Sequence, residues 1–149
     1  MKVAVGFDHA GVPFNDVVLD AVRAEGHEPI DVGTQDDYPD TALDVSRAVH
    51  DGDAERGIVV CGSGAGVAVA ACKLPGIRAA VGHDTYTAAQ CVEHDNCNVL
   101  ALGARVIGPE IAAELVAAFA NAVFSGEERH VRRLAKVDAI ERDGLDAEL

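Results

Sequence analysis

Short apolar runs alternate with stretches of helical periodicity along the whole chain. Val3 to Phe7, Pro29 to Val32, Ile58 to Val60, Ile77 to Val81 and Val99 to Leu102 are compact and mostly aliphatic, and Gly, Asp or Asn lies close to most of their ends. Apolar runs of this length, bounded by turn residues, predict strands buried on both faces. Between the first two, Val12, Val17, Val18, Ala21 and Val22 fall near helical spacing, and Gly26 is the stop. Asp40 or Thr41 can cap a second helix to about Asp51. The Ala- and Val-rich segment behind Gly66 reads as a third, broken by Pro75-Gly76, and Thr85 to Glu93 as a fourth, followed by His94-Asp95-Asn96-Cys97 in a turn. Pro109 suits the first turn of a fifth helix to about Phe124, and a charged sixth begins near Glu127.

Five strands alternating with helices predict a three-layer α/β domain, a doubly wound parallel sheet covered on both faces. The expected strand order is 2-1-3-4-5, with a ligand crevice where the order reverses between strands one and three. That places Asp8-His9 opposite Cys61, and brings His83, Arg105 and the acidic turn 36–40 to the same rim. No linker or repeat interrupts the 149 residues, so one domain spanning 1–149 is expected.

Composition narrows the partners. With 12 basic against 25 acidic residues the formal charge is −13, which argues against nucleic acid or an anionic membrane surface. A phosphate-bearing ligand must then be held by a few local Arg or His side chains. No apolar run approaches a membrane span, and Lys2 leads directly into a strand rather than a secretory leader. Cys61, Cys72, Cys91 and Cys97 form no CxxC pair and no zinc-type spacing with His, so reduced thiols in a cytoplasmic protein, without a metal site, are expected.

The richest chemistry lies in Cys61-Gly62-Ser63-Gly64-Ala65-Gly66, where a buried strand runs into a glycine-rich turn and a helix start. Gly62, Gly64 and Gly66 let backbone amides approach an oxyanion closely. The spacing fits neither GxGxxG nor a GK[ST] loop, so a smaller oxyanion than a nucleotide phosphate fits better. Cys61 alone reads as a small buried hydrophobe. Beside amides and a helix N-terminus, however, its thiolate is favoured, and it becomes a candidate base or nucleophile. Asp8-His9 reads either as a cap with a surface imidazole or as an acid/base pair or phosphate ligand near the crevice. His94 reads either as a favourable charge at a helix C-terminus or as a functional imidazole. Arg129 and Arg133, four apart, share one helix face; they are either a solvated, salt-bridged face or a phosphate clamp reaching a crevice on a partner subunit. His27 and His50 read as solvated.

Several stretches together resemble one family, the type B ribose-5-phosphate isomerases and the related galactose-6-phosphate isomerases. They are Asp8-His9-Ala10-Gly11, Asp37-Tyr38-Pro39-Asp40, Cys61 to Gly66, Lys73-Leu74-Pro75-Gly76-Ile77-Arg78-Ala79, Glu93-His94, Asn98 to Arg105, and Arg129-His130 with Arg132-Arg133, in order across nearly the whole chain. The resemblance implies the fold inferred above, a homodimer, in some members paired into a tetramer, with sites at the subunit interface, and no metal or organic cofactor. It implies Cys61 as the base moving a proton between C1 and C2 through a cis-enediolate, with Ser63 beside it and the amides of 62–66 holding the oxygen. His94 matches a ring-opening histidine assisted by Asp8. His9, Arg129 and Arg133 match phosphate contacts, Arg105 adds another across the dimer, and Tyr38 lines the sugar pocket. Asp95 stands where many members carry Asn, a donor to the enediolate, and Phe7 and Cys72 also depart from the common pattern. The expected reaction is the interconversion of ribose 5-phosphate and ribulose 5-phosphate, with a tetrose, galactose or allose phosphate as alternative sugars and a non-catalytic phosphosugar-binding module on the same sheet as the rival.

Overall fold

Each apolar run becomes a strand and each periodic stretch a helix. The computed structural model describes all residues from Met1 to Leu149. Its strands are β1 (Lys2–Asp8), β2 (Glu28–Gln35), β3 (Arg56–Cys61), β4 (Ala79–Val81) and β5 (Val99–Gly103). Its helices are α1 (Asn15–Ala24), α2 (Tyr38–His50), α3 (Ala65–Ala71), α4 (Thr85–Asp95), α5 (Pro109–Asn121) and α6 (Glu128–Asp143), with short 3-10 turns before α1 and after α6. All pairings are parallel. No helix is long and apolar enough to cross a membrane.

The sheet runs β2-β1-β3-β5-β4, so the last two strands are exchanged relative to the expected 2-1-3-4-5. The handedness of the crossovers explains the difference. A right-handed crossover puts its helix on one face when the chain advances along the sheet and on the other when it turns back. From β3 the chain skips a position to β4, carrying α3 to the face of α2. It then turns back to β5, carrying α4 to the face of α1 and α5. The packing agrees: α4 and α1 both lie against α5, whereas α2 lies against α3. In the expected order α4 would have joined α2 and α3. β4, only three residues long and partly exposed, suits an edge, whereas all five residues of β5 are buried.

Alternation along the strands feeds two cores. Val3, Val5, Phe7, Ile58, Val60, Leu100 and Leu102 point to α1, α4 and α5. Ala4, Val59, Cys61, Val99 and Ala101 point to the thinner layer of α2 and α3. On that side α2 approaches closely, because a Cβ on Gly6 or Gly57 would stand 2.7 or 2.5 Å from the Val45 methyls. Several boundaries move from expectation. β4 begins at Ala79, since Ile77 turns into the second core instead of extending the ladder. α4 runs on to Asp95, capped by Asn96 in the left-handed region (φ 48°), so His94 lies in the helix rather than in the turn after it.

Candidate active site

At the carboxyl edge of the sheet, β3 ends in Cys61 and the chain turns sharply into α3. Gly64 makes that turn with φ 79°, a conformation L side chains resist. The turn aims the Gly64 amide back at the sulfur, which accepts its hydrogen bond at 3.1 Å. Ser63 Oγ accepts from the Ala65 amide at 3.3 Å, just ahead of α3. The loop rests on Gly103 at the end of β5, where a Cβ would fall 2.6 Å from the Ser63 carbonyl carbon. The Ala104 and Arg105 amides donate to the Cys61 and Gly62 carbonyls at 2.8 and 3.0 Å, tying the loop after β5 to the cradle. Cys61 is 5% exposed, nearly enclosed by the second core.

The other rim residues gather as expected. Asp8, buried, accepts the Ala10 and Gly11 amides on Oδ1, both at 2.9 Å, which closes the turn after β1 and leaves Oδ2 without a protein partner. His9 is exposed and its Nδ1 lies 2.9 Å from the Asp36 carbonyl oxygen; Nδ1 must be the donor there, so the ring presents Nε2 outward. The Tyr38 ring lies over Gly66, and the Arg105 side chain over Gly62 of the same chain. His83 joins this rim as a support: its Nε2 accepts the Gly103 amide at 2.9 Å. Burial holds the His83 imidazole below its usual pKa, as a ring that must stay neutral to accept requires.

The remaining four candidates stand elsewhere. α4 starts at this rim and its 11 residues run antiparallel to the strands. At 1.5 Å per residue that carries its far end about 16 Å away, to the opposite edge of the sheet. His94 and Asp95 sit there, beside the first turns of α6 with Arg129 and Arg133. His94 stacks on the buried His130, ring centroids 4.1 Å apart, and the Ser125 hydroxyl lies 2.6 Å from His130 Nδ1. Burial, then the neighbouring His94 and Arg129, keep His130 below the usual imidazole pKa. Arg129 is paired with Glu127 at 2.8 Å, which holds that carboxyl below its usual range. Asp95 and Arg133 line a cavity of ≈ 590 Å³ between α6 and the segment 72–79, walled by Leu74, Val137 and Ile140. One chain therefore splits the candidate residues into two groups: Asp8, His9, Tyr38, Cys61 to Gly66 and Arg105 at one edge, His94, Asp95, Arg129 and Arg133 at the other. No three His, Cys, Asp or Glu side chains converge closely enough to hold a metal ion.

Comparison with known proteins places the chain in a family. The family profile described as Ribose/Galactose Isomerase matches residues 3–137. The chain belongs to that family. Ribose-5-phosphate isomerase B of Escherichia coli is 39% identical over 145 residues, covering 95% of this chain and 97% of its own length. A D-erythrulose-4-phosphate isomerase of Pectobacterium atrosepticum is 40% identical over 131 residues, covering 85% and 86%. The solved type B ribose 5-phosphate isomerase of Trypanosoma brucei matches with TM-score 0.90 at 45% identity, over 93% of this chain and 97% of that one. In this isomerase two roles have no local signature in the sequence. His83 supports the cradle through a contact 20 residues distant. His130 shows only as part of an Arg129-His130 motif, and its burial depends on α6 folding back on α4. His27, expected to be solvated, is half-buried with Nε2 unpartnered.

Proposed function

We propose that this isomerase interconverts ribose 5-phosphate and ribulose 5-phosphate with Cys61 as the base, in a site completed by a second copy of the chain. The observation that carries the reading is the Gly64 amide donating to Cys61 Sγ at the end of β3, because it holds the sulfur beside the loop amides that can take up a developing oxyanion. In the open-chain aldose the thiolate takes the C2 proton, the electron pair forms the C1=C2 bond, and negative charge collects on O1. The O2 hydroxyl proton passes to O1, and the thiol then returns its proton to C1 as the C1=C2 electrons fold back and C2=O2 forms, giving the ketose. The Gly64 and Ala65 amides are already engaged by Sγ and by Ser63 Oγ, so Gly62, Ser63 and Gly66 are the loop amides assigned to the enediolate oxygens. Tyr38 and Arg105 wall the sugar, and Asp8 Oδ2 faces its far hydroxyls. The reaction draws on no metal or organic cofactor.

Ring opening and phosphate binding need His94, Arg129 and Arg133, which lie across the sheet from Cys61 in one chain. A two-fold pairing of copies lets each edge meet the opposite edge of its partner. α6 supports such a pairing: Val131, Val137 and Ile140 are exposed along a helix that touches the body mainly through α4. In the assembled site His94 passes a proton to the ring oxygen, while His9 and the two arginines hold the phosphate.

Cys61→Ala tests the base directly. Turnover is expected to fall by about 10²–10⁴-fold with folding intact, and washing of the C2 proton into D₂O should stop; near-normal exchange would reject Cys61. A second reading, a tetrose phosphate isomerase, is supported by the 40% identical D-erythrulose-4-phosphate isomerase. A substrate panel separates the two by kcat/KM.

A further inference from the structure

The strongest feature left unexplained is the buried imidazole beneath His94. His130 is 1% exposed, yet its Nε2 has no hydrogen-bond partner. Its Nδ1 is fixed by the Ser125 hydroxyl at 2.6 Å, and its face lies against the His94 ring at 4.1 Å between centroids and 27° between planes. Ser125 is itself tied to α4, since its amide donates to the Glu93 carbonyl at 2.9 Å. A buried polar ring with one nitrogen unsatisfied costs stability that a phenyl ring of similar shape would not. The Ser125–His130 bond fixes a plane, and that plane is the one on which His94 rests.

We propose that His130 is a positioning residue for His94: clamped by Ser125, it sets the plane of the His94 imidazole for proton transfer to the sugar ring oxygen. The proposal rests on the reading of His94 as the ring-opening group. His94 is half-buried and makes no side-chain hydrogen bond within the chain, so the stack is the visible restraint on its rotation about χ2. The groups facing His130 are His94 from α4, and Glu127, Arg129 and Arg133 at the start of α6. With two cationic side chains and a second imidazole around it, His130 serves best as a neutral, flat surface. Ser125 meets its Nδ1, and the neutral tautomer leaves the ring face free to pack.

Substrate chemistry separates positioning from general support. An aldopentose 5-phosphate closes to a furanose and must be opened. An aldotetrose 4-phosphate cannot close through its esterified O4 and needs no ring opening. His130→Ala should therefore lower kcat on ribose 5-phosphate by about tenfold or more, with KM little changed and activity on erythrose 4-phosphate held within about threefold. His130→Phe, which keeps a packed ring, should retain most of the ribose 5-phosphate activity, and Ser125→Ala should show a weaker form of the His130→Ala effect. The His94 ring proton resonances should move downfield in His130→Ala as the stacked ring current is lost. Should His130→Ala fail to fold, the Phe and Ser125 variants carry the same comparison. Equal losses on both substrates, or a fall in KM-limited binding alone, would overturn the positioning role. His94→Asn reports on the underlying reading separately: it should be slow on ribose 5-phosphate and near normal on erythrose 4-phosphate. If His94→Asn is slow on the pentose and His130→Ala is not, the positioning proposal alone fails; if His94→Asn is normal on both, the ring-opening reading fails with it.

Discussion

The sulfur of Cys61 and the amide of Gly64 form a pair that neither residue makes alone. Gly64 reaches the sulfur because its φ of 79° turns the chain within three residues of the strand. An alanine there meets two obstacles: a left-handed conformation that costs about 1–2 kcal/mol in an L residue, and a Cβ 3.2 Å from the Leu102 carbonyl carbon. Gly64→Ala should therefore lower the melting temperature and, by moving the donor off sulfur, cut kcat more than KM. Thermal melts and steady-state kinetics on one preparation check both. Much of this pair was legible in the residues: an apolar β-branched run ending in Cys, then glycines at alternate positions, leaves few other geometries. His83 was not legible, because its partner is the Gly103 amide and only the tertiary fold brings β4 and β5 together.

Among the elements, β3 and α5 show how a charged residue can be structural. Arg56, at the start of β3, sends its guanidinium to the end of α5, donating to the Phe119, Ala120 (3.0 Å) and Ala122 (2.6 Å) carbonyls, with its charge 5.3 Å from the Phe119 ring centre. Those carbonyls belong to the last turn of the helix, where no backbone donors follow. Arg56→Met keeps the aliphatic stem and removes the donors; it should cost about 2–4 kcal/mol in a urea titration with catalysis by the folded fraction unchanged. No sequence window could hold this contact, which spans more than 60 residues. The exchanged order of β4 and β5 has a similar origin. Strand and helix positions follow from local pattern, but the face that α4 covers depends on what α1 and α5 leave open.

At the scale of the molecule, two imidazoles, one half-buried and one buried, make the fold sensitive to acid. His83 and His130 both bind a proton less readily when folded than an ordinary histidine does, chiefly through burial. Below the usual imidazole pKa of about 6.5 the unfolded chain thus holds more protons than the folded one, and stability rises with pH across that window. The stabilisation is complete above about pH 6.5 and is lost as pH falls through the lower folded values. Melting temperatures should drop between pH 7 and 5, and His83→Asn should flatten part of that slope; a slope unchanged in the variant would exclude His83 as a contributor.

With the candidate residues on two edges, the proposed function has each working site draw Cys61 from one copy and His94 from another. Mixing two inactive variants, Cys61→Ala and His94→Asn, tests this after unfolding and refolding them together. A mixed dimer holds one site with both residues intact and one with neither. Random pairing at equal amounts makes half of the dimers mixed, so activity on ribose 5-phosphate should return to about one quarter of wild type. If the refolded mixture is no more active than its parents, each chain carries its own complete site and the shared arrangement is wrong.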